Sequence, residues 1–122
     1  MLEIERPRSG AQFEPGQVVP VDVRWSLLED QSRVELRLVW NTVGKGDQNL
    51  SIEETWTYSN IGLSGQKHEE IQLPDGPYSC SGKLLSLVWA FELIVFPSGE
   101  STRTEFLMAP GASEIILHSA AE

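Results

Sequence analysis

Apolar and polar positions alternate along most of this chain with a period of two, the signature of strands that bury one face. The longest such run is residues 84–96. Leu85, Leu87, Trp89, Phe91, Leu93 and Val95 form one wholly apolar face, and Leu84, Ser86, Val88, Ala90, Glu92, Ile94 and Phe96 form a mixed one. A membrane-spanning helix needs about 20 apolar residues, and this run is shorter and carries Glu92. Helical spacing scatters Lys83, Ser86 and Glu92 in three directions, so no polar face results. The pattern predicts a long central strand with its odd-numbered face sealed in a core, ended by a turn at Pro97-Ser98-Gly99-Glu100.

The same period recurs. Val19, Val21, Val23 and Trp25 share a face, as do Val34, Leu36, Leu38 and Trp40. Leu50, Ile52, Glu54, Trp56 and Tyr58 fall on one side of a third run, and Thr102, Thr104, Phe106 and Met108 on one side of a fourth. Leu2–Arg6 and a short Glu69–Leu73 complete the set. Pro20 cannot donate to a ladder, so its strand is expected to start near it or to lie on an edge. Turn clusters at 14–16, 29–32, 44–47, 62–65 and 74–77 separate the runs. About seven to eight short strands at this spacing predict an all-β, antiparallel β-sandwich. The sandwich is expected to occupy residues 1–111. Residues 112–122 form a tail in which Ile115, Ile116 and Leu117 suit either a last short strand or a short helix.

Two stretches carry a family resemblance. "FEPGQVVPVDVRW" (13–25) resembles the opening of arrestin-fold sandwiches, where a turn around Pro15-Gly16 feeds a strand. "SGKLLSLVWAFELIVF" (81–96) resembles a later strand of that fold, with Gly82, Val88 and the alternating apolar positions in place. The resemblance implies an immunoglobulin-like or arrestin-like sandwich and an adaptor role. Proteins of that family bind other proteins through sheet edges and loops and are not enzymes. The full arrestin fold has two sandwich domains and this chain has length for one. Pro20 stands where the family pattern has a glycine.

Charge narrows the partners. The chain has 122 residues, 18 acidic and 9 basic, for a net charge of −9. Such a field repels nucleic acid and anionic membrane surfaces, and it favours solubility and a basic partner. Cys80 is the only cysteine, so no intrachain disulfide forms. The first residues contain no apolar segment of the signal-peptide kind, and a cytoplasmic location is expected.

Candidate chemistry is sparse. His68, His118 and Cys80 are not at metal-ligand spacing. Glu53-Glu54, Glu69-Glu70 and the loop Asp47-Gln48-Asn49 offer oxygens. However, adjacent carboxylates on a regular strand point to opposite faces, so solvated charge is the better reading than calcium ligation. Residues 62–65 lack the spacing of a nucleophile elbow, and residues 76–84 fail as a phosphate loop. No catalytic residue, metal or cofactor is expected.

Two surface hypotheses remain. Trp25, Trp40 and Trp89 are in phase with the core, whereas Trp56 and Tyr58 sit on a more polar strand. Aromatic residues there suit either one end of the core or a platform for sugar rings, as in a carbohydrate-binding module. The mixed face of the long strand is the leading candidate. Leu84, Val88, Ala90, Ile94 and Phe96, exposed together, exceed the apolar patch a monomer normally shows. Loops or the tail cover it, or a partner does, either another protein or a second copy in a homodimer. The expected function is a non-enzymatic, protein-binding adaptor domain.

Overall fold

The computed structural model describes residues 1–44, 49–82 and 85–112, together with the backbone of Ile115–Ile116. These form ten strands: β1 (Leu2–Arg6), β2 (Ala11–Phe13), β3 (Val18–Ser26), β4 (Arg33–Gly44), β5 (Leu50–Ser59), β6 (Ser64–Gln72), β7 (Cys80–Ser81), β8 (Leu85–Phe96), β9 (Ser101–Met108) and β10 (Ile115–Ile116). One turn of 3-10 helix spans Pro110–Ala112. No helix among the described residues is long and apolar enough to cross a membrane.

The strands build two sheets. The smaller has the order β1-β3-β6 and is antiparallel throughout. The larger centres on β8, which pairs with β4 along its whole length, from Arg33 opposite Phe96 to Gly44 opposite Leu85. Beyond β4 lies β5. On its other side β8 pairs with β9 from Trp89 to Ile94 and with β7 at Leu87. Strand β2 adds in parallel to β9, and β10 in parallel to β7. The chain is thus an all-β sandwich.

The core lies where the period-two pattern puts it. Val19, Val21, Val23 and Trp25 of β3 meet Val34, Leu36 and Leu38 of β4 and Trp89, Phe91, Leu93 and Val95 of β8, all buried. Phe106 stacks on Phe91 with centroids 5.0 Å apart and also packs on Trp89. Two buried indoles satisfy their N–H groups. Trp25 donates to the Ile61 carbonyl at 3.0 Å and Trp89 to the Pro77 carbonyl at 2.7 Å. The odd-numbered face of β8 is therefore sealed from Trp89 onward, whereas Leu85 at its start is exposed.

Pro20 sits in the central strand of its sheet, but β1 reaches only to Asp22. At Pro20, β3 is paired on the β6 side alone, opposite Glu70, so the missing N–H is locally at an edge. Strand β6 is longer than its sequence predicts. It begins at Ser64, because all nine of its residues pair with β3 although few are apolar. Gly65 lies in that strand rather than in a turn, with Trp25 packed against it.

Candidate interaction surfaces

The side chains that alternate away from the core form the outer face of the larger sheet. Glu35 of β4 anchors it. Arg33 Nε donates to Glu35 Oε2 at 2.7 Å, and the Arg37 guanidinium donates to Oε1 at 2.9 Å. These bonds, led by that from Arg33, hold the Glu35 carboxyl below the usual carboxylate range. A second ion-pair group comes from β8 and β9. Arg103 meets Glu105 at 3.2 Å and Glu92 at 3.8 Å, and it donates to Asn41 Oδ1 of β4.

The residues expected to form an outward apolar patch lie among these charges. Phe96 is half-buried, with the Arg33 guanidinium carbon 4.2 Å from its ring centroid and that of Arg37 at 5.7 Å. Ile94 is half-buried opposite Glu35 and Ser101. Val88 is half-buried opposite Asn41, and Ala90 is fully buried opposite Val39 and Glu105. In register, Arg103 reaches from the row of Glu92 to the row of Val88, so its side chain crosses the Ala90 row. Long charged side chains bury their stems on apolar neighbours while their heads remain paired. The cover on this part of the face is thus supplied by its own arginines. Leu84 lies outside the described residues.

Apolar exposure on this face is concentrated elsewhere, through a feature of β5 that alternation alone does not reveal. Glu54 pairs with Leu38, but the next pair is Ile52 with Val39, leaving Glu53 as a bulge. One extra residue reverses which side every later side chain faces. Trp56 and Tyr58 are on the inner side with Leu36 and Val34, whereas Ile52 and Leu50 join the outer face with Val39 and Asn41. Leu50 is 59% exposed, Ile52 48% and nearby Val43 45%. Glu53 accepts the Trp40 indole N–H at 2.7 Å and the Ser51 hydroxyl at 3.2 Å. The bulge therefore also breaks the expected opposite-face arrangement of Glu53 and Glu54. Beside Val88, a concavity of about 300 Å³ is lined by Gly10, Leu87, Glu105, Phe106 and Leu107.

Trp56 and Tyr58 are both half-buried and pack on the core. Tyr58 stacks on Trp25 with centroids 6.2 Å apart, and Lys67 Nζ lies 5.8 Å from its ring centroid. Its hydroxyl is buried beside Glu69 without a hydrogen bond of normal geometry. Burial, and then the Glu69 charge, push its ionisation well above the usual phenol range. Trp56 lines a groove of about 520 Å³ between β5 and the end of β6, with Glu54, Glu70, Gln72 and Asp75.

The outer face of the smaller sheet carries one cluster that sequence spacing did not suggest. His68 Nδ1 lies 2.5 Å from Asp22 Oδ1, and Nε2 lies 2.7 Å from Glu70 Oε1. Arg6 Nε donates to Asp22 Oδ2 at 2.5 Å. Acceptors at both ring nitrogens are satisfied together only by the imidazolium. The bond to Asp22, followed by that to Glu70, accordingly raises the His68 pKa above 6.5. The bonds from His68 and then Arg6 lower that of Asp22 below 3.8. Among the described residues, no group of three or more His, Cys, Asp or Glu side chains is arranged to hold a metal ion. Cys80 is a half-buried free thiol.

No family model matches the chain, and no curated protein matches it in sequence. Among solved structures it is similar to Spo0M, a sporulation control protein from Bacillus subtilis, with a TM-score of 0.52 and 15% identity. The match covers 89% of this chain and 48% of that one, so the chain spans about half the length of this structural neighbour. At that identity the likeness is one of fold, and with the two sheets described above it makes this chain a β-sandwich of the arrestin-like type.

Proposed function

We propose that this chain is a non-enzymatic protein-interaction domain that docks through the outer face of its larger sheet. The observation that carries the reading is the β5 bulge, which turns Leu50 and Ile52 outward beside Val43. Exposed together, three large aliphatic side chains are the kind of patch that a partner covers. Val88, Ile94 and Phe96 extend the surface along β8, with Ala90 beneath it, and Leu84 continues the same alternation in sequence.

The first partner to consider is a second copy. The face carries Arg33, Arg37 and Arg103 against Glu35, Glu92 and Glu105. It is therefore locally balanced although the chain carries −9 overall. Two copies can meet there without opposing like charges, in a two-fold arrangement that uses the same patch on both sides. The histidine cluster supports a non-enzymatic reading, because both nitrogens of His68 are committed to carboxylates. A lone half-buried thiol suits a reducing compartment such as the cytoplasm.

Sedimentation velocity across a concentration series tests this. The wild-type mass should rise with concentration. Ile52→Asp and Val88→Asp should remain monomeric with circular dichroism like that of the wild type. A wild type that stays monomeric throughout would remove self-association. Variants that associate as the wild type does would remove the face.

A further inference from the structure

We infer that the open side of the sandwich, between β5 and β6, binds an extended basic segment of another protein as an added strand. This surface is separate from the outer face discussed above. Among the described residues, β5 pairs only with β4 and β6 only with β3, so each ends its sheet. The linker at residues 60–63 joins them, which puts both edges on the same side of the molecule. An edge strand presents unpaired N–H and C=O groups, and an extended peptide satisfies them by continuing the sheet.

The groove beside these edges selects the occupant. Glu54 and Trp56 line it from β5, and Glu70, Gln72 and Asp75 line it from β6 and the segment that follows. Its volume of about 520 Å³ lies within the usual range for binding clefts. Among the described residues, Glu54 and Asp75 have no basic partner, while Glu70 is shared with His68. A second copy is a poor occupant, because its own β5 would bring Glu53 and Glu54 against these carboxylates.

A strand added to β5 points every second side chain toward the groove, at about 6.8 Å intervals. Lysine or arginine at two such positions would reach Glu54, Glu70 and Asp75 and lay a cation against the Trp56 ring. The inferred ligand is therefore a segment with basic residues at alternate positions.

The probe is a capped, alternating Lys-Thr peptide about nine residues long, a common strand length. Its control has the same composition with the lysines grouped at one end. Titration followed by amide shifts should perturb β5 and residues 70–75. The control should bind at least about fivefold more weakly, and Glu54→Gln/Asp75→Asn should cost about tenfold in affinity for the alternating peptide. Val88→Asp, on β8 and separated from the β5 edge by β4, should bind the peptide as the wild type does, whatever its effect on self-association. Equal affinity for the two peptides, unchanged affinity in Glu54→Gln/Asp75→Asn, or shifts spread over the whole surface would overturn the inference and leave only attraction to a net −9 charge.

Discussion

Trp25 shows how one residue ties the two sheets together. It lies in β3, donates to the Ile61 carbonyl, stacks on Tyr58 of β5 and covers Gly65 of β6. A Cβ at Gly65 would lie 2.5 Å and 2.7 Å from two carbons of the indole. The ring cannot retreat without losing its bond to Ile61. Gly65→Ala should therefore cost about 1–3 kcal/mol and lower Tm by roughly 5–10 °C, which thermal unfolding will measure. Inward placement of Trp25 was legible from its phase with Val19, Val21 and Val23. The role of Gly65 was not, because glycine beside polar residues reads as a turn until a neighbour is seen on it. The His68 cluster was likewise hidden, since Asp22 is 46 residues away in the chain. Its pH response follows from the two shifts. His68 has a raised pKa, so what it contributes is complete below 6.5 and is lost as pH rises through the raised value. Asp22 has a lowered pKa, so its contribution is complete above 3.8 and is lost as pH falls through the lowered value. The urea midpoint of the wild type should exceed that of His68→Ala most clearly at about pH 5, and the gap should close above pH 6.5. His68 is exposed and Asp22 only half-buried, so the gap will be small. A gap that grew with pH would mean His68 is neutral in the fold.

Strand β8 was legible almost to the residue, because its two faces differ in kind and turn chemistry ends it. Strands β3 and β4 were legible for the same reason. Strands β2 and β7 were not, since three and two residues cannot show a period. Strand β5 is the instructive case. Its large apolar residues keep one phase from Leu50 to Tyr58, with Glu54 the single polar member of that phase, yet the strand changes phase at Glu53. A bulge is a property of the pair, set by how β4 and β5 align, and one strand's sequence does not carry it. Deleting Glu53 removes the extra residue and should leave both flanking pairs in place, Glu54 with Leu38 and residue 52 with Val39, so residue 52 stays outward. Thiol labelling will read this directly in a Cys80→Ser background carrying Ile52→Cys. Labelling should be fast with and without Glu53, because residue 52 is exposed in both. Labelling at least about tenfold slower without Glu53 would show that the pairs beyond the bulge slip by one residue and turn residue 52 inward.

Across the whole molecule, charge divides the surface into two regions with opposite responses to salt. The outer face of the larger sheet balances three arginines against three glutamates, so a complex formed there has little local charge attraction to screen. What opposes association of two copies is their overall repulsion at −9 each, and salt relieves it. The β5–β6 groove is the reverse case. Its carboxylates attract a basic segment, and salt weakens that attraction as the screening length contracts from about 10 Å at 0.1 M towards a few ångströms. Raising NaCl from about 0.05 M to about 0.5 M should therefore strengthen self-association and weaken binding of the alternating Lys-Thr peptide in the same preparation. Sedimentation and peptide titration at the two salt concentrations will check this. The signs of the two changes matter more than their sizes. If both weaken, the copies associate through charged edges rather than the apolar patch. If both strengthen, the peptide is held by burial of its stems and not by Glu54, Glu70 and Asp75.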